Sequence, residues 1–221
     1  MGSSGSAHVA HNRELQLFYK EFLPRSALET VKALLKGSRA TRARKHSEAL
    51  RFAGFNAPQS LVWGKLTRGR EYLFSGAVTG AGVDIWLRET LSNQLTHNLL
   101  ERRSFLRQLG VFVGRLHATG FIHGDLRSSN VLAHRGSHRF EFSLIDNERN
   151  AQYRPPPGKL LLKNLMQLNM HLPGELSRCD RLRFFRAWHS QMRDLSPLEA
   201  KLIASASYQW AIKRLRAKGK L

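Results

Sequence analysis

No apolar run in the sequence approaches the roughly 20 residues that a bilayer-spanning helix needs. The first residues, MGSSGSAHVAHNREL, lack the apolar core of a secretory signal, so no leader is expected. Cys179 is the single cysteine and cannot form a disulfide within the chain, as suits a reducing cytoplasm. Acidic residues are scarce: 16 Asp and Glu stand against 36 Lys and Arg, a formal net charge of +20. That imbalance favours polyanionic partners, whether nucleic acid, anionic lipid headgroups or phosphorylated glycans. Charge alone does not choose among them. Internal repeats and long low-complexity segments are also missing. What remains is 221 residues with 42% hydrophobic side chains, enough to bury a core as one domain or two small lobes.

Along the chain, LQLFYKEFL (Leu15 to Leu23) reads as a strand that stops at Pro24. From Ser26 to Phe52 the spacing turns helical, with Gly37-Ser38 dividing two helices and Gly54 ending the second. APQSLVWGKL and REYLFSGAV read as strands around the turn TRGR, and TGAGVD as a glycine-rich connection. Two helical stretches follow, the later one ending at Gly120. NVLAH and FEFSLID are short strands joined by RGSH, and RPPPG (Arg154 to Gly158) marks a loop because proline fits neither a helix interior nor a central strand. From Lys159 onward the chain is helical and basic. The pattern predicts an α+β chain in two lobes, a small β-rich one over residues 1–78 and a mainly helical one over 79–221.

Between the later helix and NVLAH lies FIHGDLRSSNVL, which carries His123-x-Asp125-x-x-x-x-Asn130; Asp146 follows at the end of an apolar strand. Phosphoryl transfer needs a carboxylate to accept the attacking hydroxyl's proton and oxygen ligands that hold Mg²⁺ on the nucleotide phosphates. Asp and Asn side chains suit that hard ion. H-R-D-L-x-x-x-N followed by a strand-terminal Asp is the kinase signature. This chain keeps His123, Asp125, Leu126 and Asn130, and has Gly124 where Arg is usual. Asp125 is therefore the candidate base, Asn130 and Asp146 the candidate metal ligands, and His123 a support for the loop. Without the Arg, switching by a phosphorylated activation segment is not expected.

The phosphates of ATP also need a cation, usually a strand Lys paired with a Glu on the next helix. Lys20 sits at the centre of an N-terminal strand; Glu48 is the expected partner, with Glu29 as the alternative. GSSGSAHV (Gly2 to Val9) has the order of a glycine-rich phosphate cover. It reads equally as the remains of an expression tag, and no strand is expected ahead of it.

These segments together with LFYKEF, GSRATRAR, AGFNAP, FSLIDNERN, KNLMQLN and DRLRFFRAW resemble the lipopolysaccharide core kinases, the Kdo/heptose kinase family of the protein-kinase-like superfamily. The resemblance runs from about Leu15 to Trp188. It implies a protein-kinase-like fold with a reduced N-terminal β lobe, and transfer of phosphate from ATP, with Mg²⁺, to a hydroxyl of an inner-core Kdo or heptose. It also implies a glycolipid or sugar acceptor and a peripheral, cytoplasmic position at the inner face of the inner membrane, with no nucleic acid partner. Asn147-Glu148 stand where that superfamily usually has Phe-Gly, and no A-P-E sequence is present. The basic tail AIKRLRAKGKL would either lie on lipid or pack as a C-terminal helix. Phe184, Phe185 and Trp188 fall at helical spacing and are expected to be core. The rival readings are a small atypical protein kinase and a basic binding module for lipid or nucleic acid. An aminoglycoside phosphotransferase should present acidic pockets, which +20 disfavours.

Overall fold

In the computed structural model, which describes residues 2–4, 7–24, 37–92 and 98–221, LFYKEF forms strand β3 (Leu17–Phe22). Period-two alternation puts Phe18, Lys20 and Phe22 on one face. Phe22 meets Ala40, Ala43 and Leu73 in an apolar cluster on that side. β3 is the middle strand of a five-stranded sheet of order β1-β2-β3-β5-β4, formed with β1 (Gly2–Ser4), β2 (Ala7–Asn12), β4 (Ser60–Lys65) and β5 (Glu71–Gly76). All its pairings are antiparallel, and Lys20 faces Val9 on one side and Leu73 on the other.

The glycine-serine run is itself a strand, β1, and pairs with the residues that follow it. Gly2 pairs with Val9, Ser3 with His8 and Ser4 with Ala7, because strand pairing uses the backbone and tolerates small side chains. Gly5 and Ser6, between those strands, lie outside the described residues, as do Glu29 and the earlier of the two expected N-terminal helices. Helix α1 (Arg39–Phe52) is the later one. Ser38 caps it by accepting a hydrogen bond from the Thr41 amide, and it stops before Gly54, whose φ of 81° no β-carbon residue adopts readily.

The chain divides into two compact units, Met1–Val78 with Leu144–Arg149, and Thr79–Ser143 with Asn150–Leu221. The short segment 144–149 thus belongs with the β-rich unit although it lies far along the chain.

The second unit is built on helices α2 (Leu99–Ala118), α3 (Gly158–Leu168), α4 (Arg178–His189) and α5 (Pro197–Ala217). α2 and α4 approach closely at Gly110 and Gly114: an added β-carbon would lie 2.4 Å from the Phe184 carbonyl oxygen and 2.6 Å from that of Trp188. Beside this seam, Arg102 and Asp180 form a buried ion pair at 2.9 Å. Phe184, Phe185 and Trp188 are buried, as expected. Strands β6 (Ala81–Gly82), β8 (Val131–Arg135) and β9 (Phe140–Leu144) make a small sheet, and β7 (Phe121–Ile122) pairs with β10 (Ala151–Gln152). α5 takes in most of the basic tail and buries Ala211 and Leu215, so the tail begins as a packed helix. Among the described residues no helix is long and apolar enough to cross a membrane.

Candidate active site

In the β-rich unit, the Lys20 Nζ lies 2.5 Å from Asp146 Oδ1, with the two side chains 25% and 37% exposed. Asp146 holds a φ of 61°. That left-handed conformation is uncommon outside glycine, though Asp tolerates it better than most residues, and such conformations persist only where the surroundings impose them. Here the surroundings are the two residues that follow. Asn147 is buried and donates from Nδ2 to Ser47 Oγ at 3.1 Å and to the Leu144 carbonyl at 3.0 Å. Its own carbonyl accepts from His46 Nδ1 at 2.9 Å. Burial lowers the His46 pKa, with the bond to Asn147 opposing it, so the ring is neutral and carries its proton on Nδ1. Glu148 is buried and takes both oxygens to Arg39 Nη2, at 3.1 and 3.0 Å. The Arg39 guanidinium in turn sits 4.8 Å from the centre of the Phe22 ring.

The expected pairing of Lys20 with Glu48 is not what forms. Glu48 is half exposed and pairs with Arg44 one turn earlier on α1, at 2.8 Å. Glu48 is the one acidic residue of RATRARKHSEALRF, and a helix face that packs against the sheet through alanines turns it to solvent. The usual polarity is reversed: α1 offers a cation, Arg39, to a carboxylate beside Asp146, and Lys20 takes Asp146 itself.

The helical unit holds the other expected residues in one loop, between β7 and β8. The His123 Nδ1 accepts from the Asp125 amide at 3.1 Å, and Asn130 Nδ2 donates to the Asp125 carbonyl at 2.8 Å. His123 is thus a brace within the loop. Asn130 Oδ1 carries no hydrogen bond among the described residues. The Gly124 amide donates to Asn150 Oδ1 at 3.3 Å. Arg127 bonds Asp125 Oδ2.

Residues that the motif did not point to hold this loop from beneath. Asn164 on α3 grips His123 at both ends, Nδ2 donating to its carbonyl at 2.6 Å and Oδ1 accepting from its amide at 3.1 Å. One turn further on, Gln167 bonds Asp125 and Leu126. The orientation of Asn164 is fixed by a relay. Trp188 Nε1 can only donate, and it donates to His117 Nδ1 at 3.0 Å. His117 must then carry its proton on Nε2, which faces Asn164 Oδ1 at 3.3 Å. The spacing of Asn164 and Gln167, three apart in KNLMQLN, was the sequence signal for this face.

Asp and Asn side chains carry the hard oxygens that Mg²⁺ takes, and Asp146, 37% exposed, is paired with Lys20. Among the described residues no group of three or more His, Cys, Asp or Glu is arranged to enclose a metal.

The model of the lipopolysaccharide kinase (Kdo/WaaP) family matches residues 2–188. A comparison with curated protein sequences finds no match. Among solved structures, WaaP in complex with acyl carrier protein is similar with a TM-score of 0.66 and 17% identity, over 96% of this chain and 87% of that one. WbdD, solved with the kinase inhibitor LY294002, follows with a TM-score of 0.51 and 19% identity, over 95% of this chain and 44% of WbdD. At these identities the likeness is one of fold, and the fold is protein-kinase-like. On the extent of the family match, the chain belongs to the lipopolysaccharide kinase (Kdo/WaaP) family and is a phosphotransferase with an alcohol group as acceptor.

Proposed function

We propose that the chain transfers the γ-phosphoryl group of ATP, with Mg²⁺, to a hydroxyl of a Kdo or heptose in the inner core of lipopolysaccharide. The observation that supports this most is the loop that carries Asp125, whose backbone is braced by His123, Asn130 and Asn164 while its carboxylate stays on a half-buried side chain. Asp125 acts as the base that accepts the hydroxyl's proton as the phosphoryl group is attacked. Lys20 contacts the nucleotide phosphates, and Asn130 and Asp146 are the ligands for Mg²⁺. The ion supplies neutralisation of phosphate charge; the chain supplies position. Residues 1–78 serve the nucleotide phosphates, and residues 79–221 carry the catalytic loop. A glycolipid acceptor at an anionic surface agrees with the charge. From Ala200 to Leu221 the chain has Lys201, Lys213, Arg214, Arg216, Lys218 and Lys220 and no acidic residue. Leu198 and Leu202 of α5 are exposed beside them. We place the protein at the cytoplasmic face of the inner membrane, in peripheral contact.

The test is incubation with labelled ATP and Mg²⁺ against core lipopolysaccharide, protein and aminoglycoside acceptors. Label should enter core lipopolysaccharide, and Asp125→Asn should lower the rate by about 10²- to 10⁴-fold, the range of a lost general base. Unchanged transfer by Asp125→Asn removes the mechanism. Label on protein alone removes the acceptor.

A further inference from the structure

We propose that Gln167 is the positioning residue of Asp125, a proposal that rests on Asp125 being the base. Gln167 Nε2 donates to Asp125 Oδ1 at 2.8 Å, and Gln167 Oε1 accepts from the Leu126 amide at 3.0 Å. The two partners have opposite demands, a carboxylate that wants a donor and an amide that wants an acceptor. Among side chains of this length a primary amide meets both at once; Glu accepts only and Lys donates only. The residue type is therefore dictated by its neighbours.

The consequence is mechanical. The Leu126 bond fixes the Gln167 amide plane, and a fixed plane aims Nε2 at one oxygen of the Asp125 carboxylate. With Oδ1 held by Gln167, Oδ2 by Arg127 and the backbone by His123 and Asn130, the carboxylate has little rotational freedom left. A base that is already oriented loses no entropy to alignment in the transition state. Gln167 stands on α3, a regular helix whose preceding turn grips the same loop through Asn164, so the aim comes from a rigid element and not from another loop. Gln167 touches no phosphate or acceptor in this role; it acts through Asp125.

Gln167→Glu separates positioning from simple anchoring. It keeps an acceptor for Leu126 but replaces the donor to Asp125 with a second carboxyl oxygen. The expected result is a fall in kcat of about 10- to 100-fold, the cost of a misaligned group, with KM for ATP within about twofold and the thermal midpoint of unfolding held. Gln167→Met loses both bonds and should show the same split between kcat and KM. If Gln167→Glu fails to fold, the Met variant alone decides. A wild-type kcat in the folded variants, or a loss that falls wholly in KM, overturns the proposal. Asp125→Asn run in parallel keeps the two ideas apart: activity there sinks the base itself, whereas an inactive Asp125→Asn beside a fully active Gln167→Glu sinks only the positioning.

Discussion

At the scale of single residues, the least visible contributor is His117. It is fully buried, and burial lowers its pKa from 6.5 to about 4, partly opposed by the bond to Asn164. The native state therefore refuses a proton that the unfolded chain accepts below about pH 6.5. Stability present above that pH is lost as pH falls towards 4, by an amount on the order of 3 kcal/mol. Burial lowers the pKa of His46 and His171 in the same direction, so they add to the slope. The thermal midpoint should drop between pH 7 and pH 4.5, and His117→Gln should make that drop shallower. Identical profiles for the two proteins would assign the slope to other groups. His117 could not be picked out from LHATG, because its partners Asn164 and Trp188 lie 47 and 71 residues further on. Asp125, Asn130 and Asp146 could be put forward as candidates for the opposite reason: a loop and the strand after it keep their spacing along the chain. Arg39 acts across a long separation and leaves no local pattern, and the sign of Gln167 is its spacing from Asn164. Glu48 was misread because a strand Lys and a helix Glu suggest a pair, while nothing in the sequence tells which way that Glu faces.

At the scale of elements, helix and strand positions were largely readable, since the apolar periodicity and the Gly and Pro breaks coincide. The closeness of α2 and α4 was not. Gly110 and Gly114 lie one turn apart on α2, where the Phe184 and Trp188 carbonyls of α4 come near. Replacing either with Ala would improve helix propensity by up to about 1 kcal/mol in isolation. In the folded protein the added methyl meets the Phe184 or Trp188 carbonyl, which the helix backbone cannot withdraw. Overpacking then costs about 1–3 kcal/mol, and more where the backbone must move. Gly110→Ala and Gly114→Ala should each lower the thermal midpoint by several degrees, and both together should lower it further. A raised midpoint in either single variant would mean that the seam yields. α1 shows the same dependence on context. Its start could be read from the break at Gly37-Ser38, whereas its grip on the segment after Asp146, through Arg39, His46 and Ser47, joins residues about a hundred positions apart.

For the molecule as a whole, the charge of +20 is a quantity that sequence gives completely. Cations near an anionic surface contribute about 1 kcal/mol each, and salt screens them within a Debye length of about 10 Å at 0.1 M. Binding to vesicles that contain anionic phospholipid should therefore weaken at least about tenfold between 0.05 and 0.3 M salt. Charge-neutral Gln at Lys213, Arg214, Arg216, Lys218 and Lys220 should flatten that dependence. Salt-independent binding, or an unchanged slope in the substituted tail, would place the contact elsewhere. The reversed ion pair between α1 and the segment after Asp146 bears on pharmacology. A compound that wins space by pushing Asn147 and Glu148 aside must leave Arg39 buried without its carboxylate, at a cost of about 3–5 kcal/mol. That is about 10²- to 5 × 10³-fold in affinity. Ligands that accept the segment where it stands have the advantage, and selectivity between this enzyme and kinases with a mobile Phe-Gly is written into two side chains.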